Sequence, residues 1–108
     1  SSPGIAVTST GSSVTSLLQT DDNAGYIGTS SNHPFVFNTN GAEKMRILSG
    51  GNVGIGTNSP ISKLDAMATS GAQISASYSA TVHTNMTTDS GGDFTIQATG
   101  GDVIIKLG

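Results

Sequence analysis

The chain has no cysteine, so disulfide bonds, thiolate nucleophiles and thiolate metal sites are excluded from the outset. Basic residues are almost as scarce. Among 108 residues only Lys44, Arg46, Lys63 and Lys106 are cationic, and they are scattered. A nucleic-acid surface needs such side chains clustered along one face, so no nucleic-acid partner is expected. Seven acidic residues bring the net charge to −3. No apolar run approaches the roughly 20 residues of a membrane-spanning helix, and no membrane insertion is expected. The first residues, Ser1-Ser2-Pro3-Gly4, lack Met and a signal-peptide apolar region. They read as the start of a processed chain or an excised piece.

Bulk is scarce too. Large apolar residues number 28 of 108, whereas Ser, Thr, Gly and Asn together number 52. Disorder would also want a high charge density, and only 11 residues are charged. Nine Ile and six Val stand against five Leu, and these β-branched residues recur at regular intervals. The composition therefore predicts ordered all-β structure. So few large side chains leave a lone copy a thin margin, because ordering the backbone costs as much as burial returns. Association with identical copies would hide apolar faces that one chain leaves wet, so a homo-oligomer is expected.

Alternation and turn residues divide the chain into short strands. Ile5 to Thr8 and Val14 to Leu18 read as strands, the second ended by Asp21-Asp22-Asn23. Pro34 opens Phe35 to Thr39, with Phe35 and Phe37 on one face. Asn40-Gly41 is the strongest hairpin signal, since a type I′ turn needs positive φ at both central residues. The return strand, Glu43 to Leu48, points Met45 and Ile47 inward and Lys44 and Arg46 outward. After Ser49-Gly50-Gly51, Val53 and Ile55 alternate with Gly54 and Gly56. Glycine within a strand marks either a close backbone approach, as at a fibre axis, or a bulged edge. Ile61 to Met67 is open to one helical turn or a strand. Beyond it, Ile74, Ala76 and Tyr78 alternate with serines.

A short repeat closes the chain. Gly91-Gly92-Asp93-Phe94-Thr95-Ile96 and Gly100-Gly101-Asp102-Val103-Ile104-Ile105 share a pattern nine residues apart, with a looser copy at Gly50 to Ile55. Phe94, Ile96 and Ala98, then Val103, Ile105 and Leu107, are expected to form matching inward faces of successive strands. The apolar strand running up to Gly108 suggests that the native chain continues.

Each site of potential chemistry has a plainer reading. Calcium-binding nonapeptides carry Gly-Gly-x-Gly-x-Asp, but these copies lack the second Gly and offer one carboxylate each, too few for an ion that wants six or more oxygens. Asp93 and Asp102 are better read as turn residues. His33 and His83 are the only histidines, and a divalent site wants three or four ligands. A trimer's axis could gather three copies of one of them, but His33 before Pro34 reads more simply as a loop residue. Asp21 and Asp22, or Asp89 and Asp93, could be drawn as a glycosidase carboxylate pair, yet both pairs sit at turn signals where side-chain capping explains them. Gly51 to Gly56 has the wrong spacing for a dinucleotide fingerprint and lacks the βαβ context. No enzyme, cofactor or resident metal is expected.

The block from Gly25 to Leu64 carries a further signal. Asn40, Gly41, Glu43, Met45, Arg46 and Ile47 are followed by Gly51, Asn52, Val53, Gly54, Ile55, Gly56, Thr57 and Pro60, then Lys63 and Leu64. In this order and spacing they resemble a module of bacteriophage tail-fibre and tail-spike proteins. The resemblance covers about 40 of 108 residues; the flanks match only in composition. It implies an intertwined, trimeric β-fibre of short strands, arranged as a meander, a β-solenoid (β-helix) or a β-prism. Residues 1–24 would be N-terminal strands, 25–68 the β-meander, and 69–108 a low-bulk β segment, all within one fibre segment. In that family the module often precedes a self-cleaving intramolecular chaperone of the endosialidase type, which this chain does not contain.

The implied role is structural: a virion shaft for host attachment, with Phe35, Phe37, Met45, Ile47, Val53, Gly54, Ile55, Gly56, Phe94, Ile96, Val103 and Ile105 packing between copies. Two alternatives stand beside it. Exposed Tyr26, His33 and Tyr78 with Asn/Asp-rich loops suit a module that binds a host-surface glycan or protein. A repeating subunit of a bacterial cell-surface filament, or a capsid decoration protein, would share the same composition.

Overall fold

A computed structural model describes residues 3–106 and 108. Among them the chain is all β, and it divides into two compact units, 1–65 and 66–108. The first unit opens with β1 (Gly4–Thr8), β2 (Thr15–Thr20) and β3 (Gly25–Thr29), an antiparallel sheet in that order. A second sheet follows, ordered β4 (Phe35–Thr39), β5 (Ala42–Ile47), β6 (Val53–Ile55) and β7 (Leu64–Ala66). The second unit holds β8 (Ile74–Ser77), β9 (His83–Thr88) and β10 (Phe94–Ala98), with β9 in the middle.

Local chemistry accounts for the turns. Asn40 and Gly41 take φ of 51° and 70°, and Thr39 pairs directly with Ala42, so the expected type I′ hairpin forms. Between β2 and β3, Asp21 Oδ1 accepts from the Asn23 and Ala24 N–H groups at 2.8 and 2.9 Å, and the Tyr26 hydroxyl donates to Oδ2 at 2.7 Å. Between β9 and β10, Asp89 Oδ1 accepts from Gly91 N and Asp93 N at 2.8 and 2.9 Å. Asp21 and Asp89 therefore act as turn caps. In the Gly-Gly-Asp turn the capping carboxylate belongs to Asp89, four residues ahead of Asp93.

Two expectations are corrected and two open readings are decided. The boundary expected after residue 24 falls inside the first sheet, because β3 pairs with β2 and not with the following meander. Of the two readings of Ile61 to Met67 the strand holds, as β7. The last copy of the repeat, Gly100 to Ile105, forms no strand: residues 102–106 are extended, and Val103 and Ile105 are 49% and 85% exposed rather than inward-facing. Its last expected inward residue, Leu107, lies outside the described residues. Finally, of the two readings of the glycine pair, close backbone approach holds at Gly54, where the approaching backbone is the chain's own Thr57 rather than a fibre axis, and the bulged edge fails. Gly54 lies on an interior strand, β6, between β5 and β7, while Gly56 leaves that strand with φ of 73°.

The space beside Gly54 is filled by the chain's own loop. A Cβ on Gly54 would stand 2.5 Å from the Thr57 carbonyl oxygen, 3.2 Å from Thr57 Cγ2 and 3.4 Å from Pro60 Cδ. Gly54 and Pro60 are the only buried residues among those described. The Asn52 side-chain amide donates to the Pro60 carbonyl at 3.3 Å, and Val53 N donates to the Lys63 carbonyl at 2.9 Å. The residues from Asn52 to Lys63 thus form one self-packed corner.

Candidate self-association surface

Register places the apolar side chains in rows. On β1-β2-β3, Ile5, Leu18 and Ile27 stand directly opposite one another, with Val7 two positions on and on the same face. All four are more than half exposed. On the second sheet the rows are Phe35, Ile47 and Val53, and Phe37, Met45 and Ile55. Phe35 and Phe37 meet edge to face, with ring centroids 4.9 Å apart. On the third sheet Ile74, Met86 and Ile96 form the row, and Phe94 joins them on the same face. The reverse face of that sheet carries Ser75, Asn85 and Gln97, with Thr87 opposite Thr95.

Apart from Pro60, no apolar side chain is buried among the described residues. A sheet with one apolar face is stable when a second layer covers it, and monomeric proteins seldom leave such faces wet. The expected packing residues Phe35, Phe37, Met45, Ile47, Val53 and Ile55 do share one face of one sheet, and Phe94 and Ile96 share one face of another. Gly54 sits on the reverse face of its sheet, level with Val36 and Arg46, and packs within the chain. Ile5, Val7, Leu18, Ile27, Ile74 and Met86 complete the rows but were not singled out from the sequence. Their alternation with polar neighbours was the available signal; which strands pair was not.

The reverse face of the second sheet is polar and closed. β5 is bulged where Phe37 pairs with Met45 and Asn38 with Glu43, which leaves Lys44 unpaired. The extra residue turns Glu43 onto the side of Arg46, three positions away. Their side chains form a two-point ion pair, Nε to Oε1 and Nη2 to Oε2, each 2.5 Å. Arg46 is therefore not simply outward-pointing; it lies half-buried and also donates from Nη1 to the Asn58 carbonyl at 3.3 Å. Hydrogen bonding to Arg46 lowers the Glu43 pKa, and the same contact raises that of Arg46.

The three expected recognition residues are not gathered into one site. Tyr26, at the start of β3, is committed to Asp21, whose hydrogen bond raises the phenol's pKa. His33 lies beyond the other end of that strand, with Nδ1 3.1 Å from Ser31 Oγ, in a cleft of about 550 Å³. Ile27, Phe35, Ile47 and Leu48 supply the apolar lining of that cleft. Tyr78 belongs to the second unit and is 92% exposed. Among the described residues no three His, Asp or Glu side chains converge as metal ligands, and no helix is long and apolar enough to cross a membrane.

No family model, no curated protein and no solved structure matches this chain.

Proposed function

We propose that the chain is a structural segment of a bacteriophage tail fibre or related virion appendage. It works as a symmetric homotrimer, a stiff extracellular shaft that holds a host-recognition tip away from the particle. One observation carries the self-association: three separate sheets each present an apolar row, and no side chain of those rows is buried. Identical copies packed row against row would supply the missing second layer for all three sheets at once. The Ser, Thr, Asn and Gln face of the third sheet would stay in water and keep the assembly soluble. The tail-fibre identity and the number three rest on the resemblance of residues 40–64.

Light scattering with mass determination tests the assembly. A closed trimer is expected at micromolar concentration. Open-ended growth would point to a filament subunit, because only an interface that fails to close propagates. Monomers at every concentration would overturn the proposal. Antibodies raised against the chain, applied to virions under the electron microscope, should decorate the tail appendage and not the capsid.

A further inference from the structure

We infer that residues 102–106 form an exchanged strand, pairing with the open edge of β10 in a second copy of this chain. The inference rests on the self-association proposed above and specifies one of its contacts. The run Asp102-Val103-Ile104-Ile105-Lys106 holds three consecutive β-branched residues, yet it forms no strand and leaves Ile104 and Ile105 69% and 85% exposed. Nine residues earlier the same pattern, Gly-Gly-Asp-apolar-x-Ile, does form a strand, β10. Strand propensity therefore does not explain the difference.

The turn does. Ahead of β10, the Asp89 carboxylate gathers the Gly91 and Asp93 N–H groups, and Gly92 N donates to the Asp89 carbonyl at 3.1 Å. The residue in the corresponding place before the second Gly-Gly is Ala98, which has no side-chain acceptor. Thr99 is moreover held to β9: its N–H donates to the His83 carbonyl at 2.9 Å, and its Oγ1 accepts from His83 N at 2.9 Å. The chain is thus kept on β9 through residue 99 and then released without a cap to fold it back.

Beside this free segment lies an edge of matching length. β10 spans five residues and, among the described residues, has β9 as its only neighbour in the sheet. An open edge and an unpaired strand of the same chain, joined by a connection that does not close, are the conditions under which pairing passes between copies. Setting Val103 opposite Ile96 places Ile105 opposite Phe94, so both join the apolar face and the Ser, Thr, Asn and Gln face stays in water. The row Ile74, Met86, Ile96 would gain a fourth apolar member, supplied by the partner copy.

Two measurements on the full chain test this. Hydrogen exchange read by mass spectrometry, on a sample whose mass is known from light scattering, should show the amides of residues 103–106 exchanging at least roughly tenfold more slowly in the oligomer than in an unfolded chain. An oligomer with these amides unprotected would overturn the strand exchange and leave self-association standing. Protection in a proven monomer, or monomers at every concentration, would overturn it as well.

The second measurement uses the absence of native cysteine. Chains carrying Ile96→Cys and chains carrying Val103→Cys, refolded together and oxidised, should yield a disulfide-linked dimer containing one of each. Oligomers without that mixed link, Val103→Cys linked to itself in preference, or an intrachain disulfide in a monomeric double variant would each reject the pairing.

Discussion

At the scale of single residues, Gly54 leaves no room for a side chain. A methyl group there would approach the Thr57 carbonyl oxygen to 2.5 Å, so the corner from Asn52 to Lys63 must open to admit it. Gly54→Ala should lower stability by about 1–3 kcal/mol, as overpacking of a close-fitted site does. Gly50→Ala, where a Cβ meets nothing within 4 Å, is the control and should move the urea midpoint little. Equal midpoints for the two variants would contradict the corner as described. Asp21 makes a different kind of prediction. The Tyr26 hydroxyl, and then the Asn23 and Ala24 N–H groups, favour its ionised form and hold its pKa below the ordinary 3.8. A carboxyl whose folded pKa is depressed adds stability above its unfolded value and loses it as pH falls through the folded one. Urea midpoints of the native chain should therefore drop on acidification below about pH 4, and Asp21→Asn should reduce that drop.

At the scale of elements, the bulge in β5 decides which side chains meet. In a regular strand, residues three apart point to opposite faces. Glu43 and Arg46 share a face because Lys44 is the extra, unpaired residue. Inserting one alanine between Phe37 and Asn38 would give Lys44 a partner, restore regular pairing and turn Glu43 away from Arg46. Lys44→Ala keeps the residue count and should keep the ion pair. Thermal unfolding should accordingly place the insertion variant below the alanine variant; coincident transitions would show that the bulge carries no weight. Glu43 ionisation follows the same acid-side sign as Asp21, since Arg46 holds its pKa below the ordinary 4.5.

At the scale of the whole molecule, the exposed rows predict how stability responds to concentration. If identical copies supply the second layer, the melting temperature should rise with protein concentration. Leu18→Ser tests one row directly. Leu18 is 56% exposed within a single copy, so the substitution should affect an isolated chain modestly and weaken association by about 1–1.5 kcal/mol per copy, roughly half the value of burying a whole side chain. Sedimentation across a dilution series reads this out. Because the rows are apolar, added salt should not dissolve the assembly as it would one held by surface charge. An unchanged association constant for Leu18→Ser would remove the first sheet from the interface.

The amino-acid sequence by itself determined the features that local chemistry controls. Alternating β-branched residues specify strands, Asn40-Gly41 specifies its turn through φ, and the Asp-containing turns close through their own side chains; all of these act over a few residues. Tertiary structure alone decided which strands share a sheet, what lies above each face, and which apparently good strand is left without a partner. Gly25–Thr29 joins the strands before it, the space beside Gly54 belongs to Thr57 and Pro60, and residues 102–106 stay unpaired despite repeating the pattern of β10. Those outcomes depend on register and contact between segments distant in the chain, and no short window of residues encodes them.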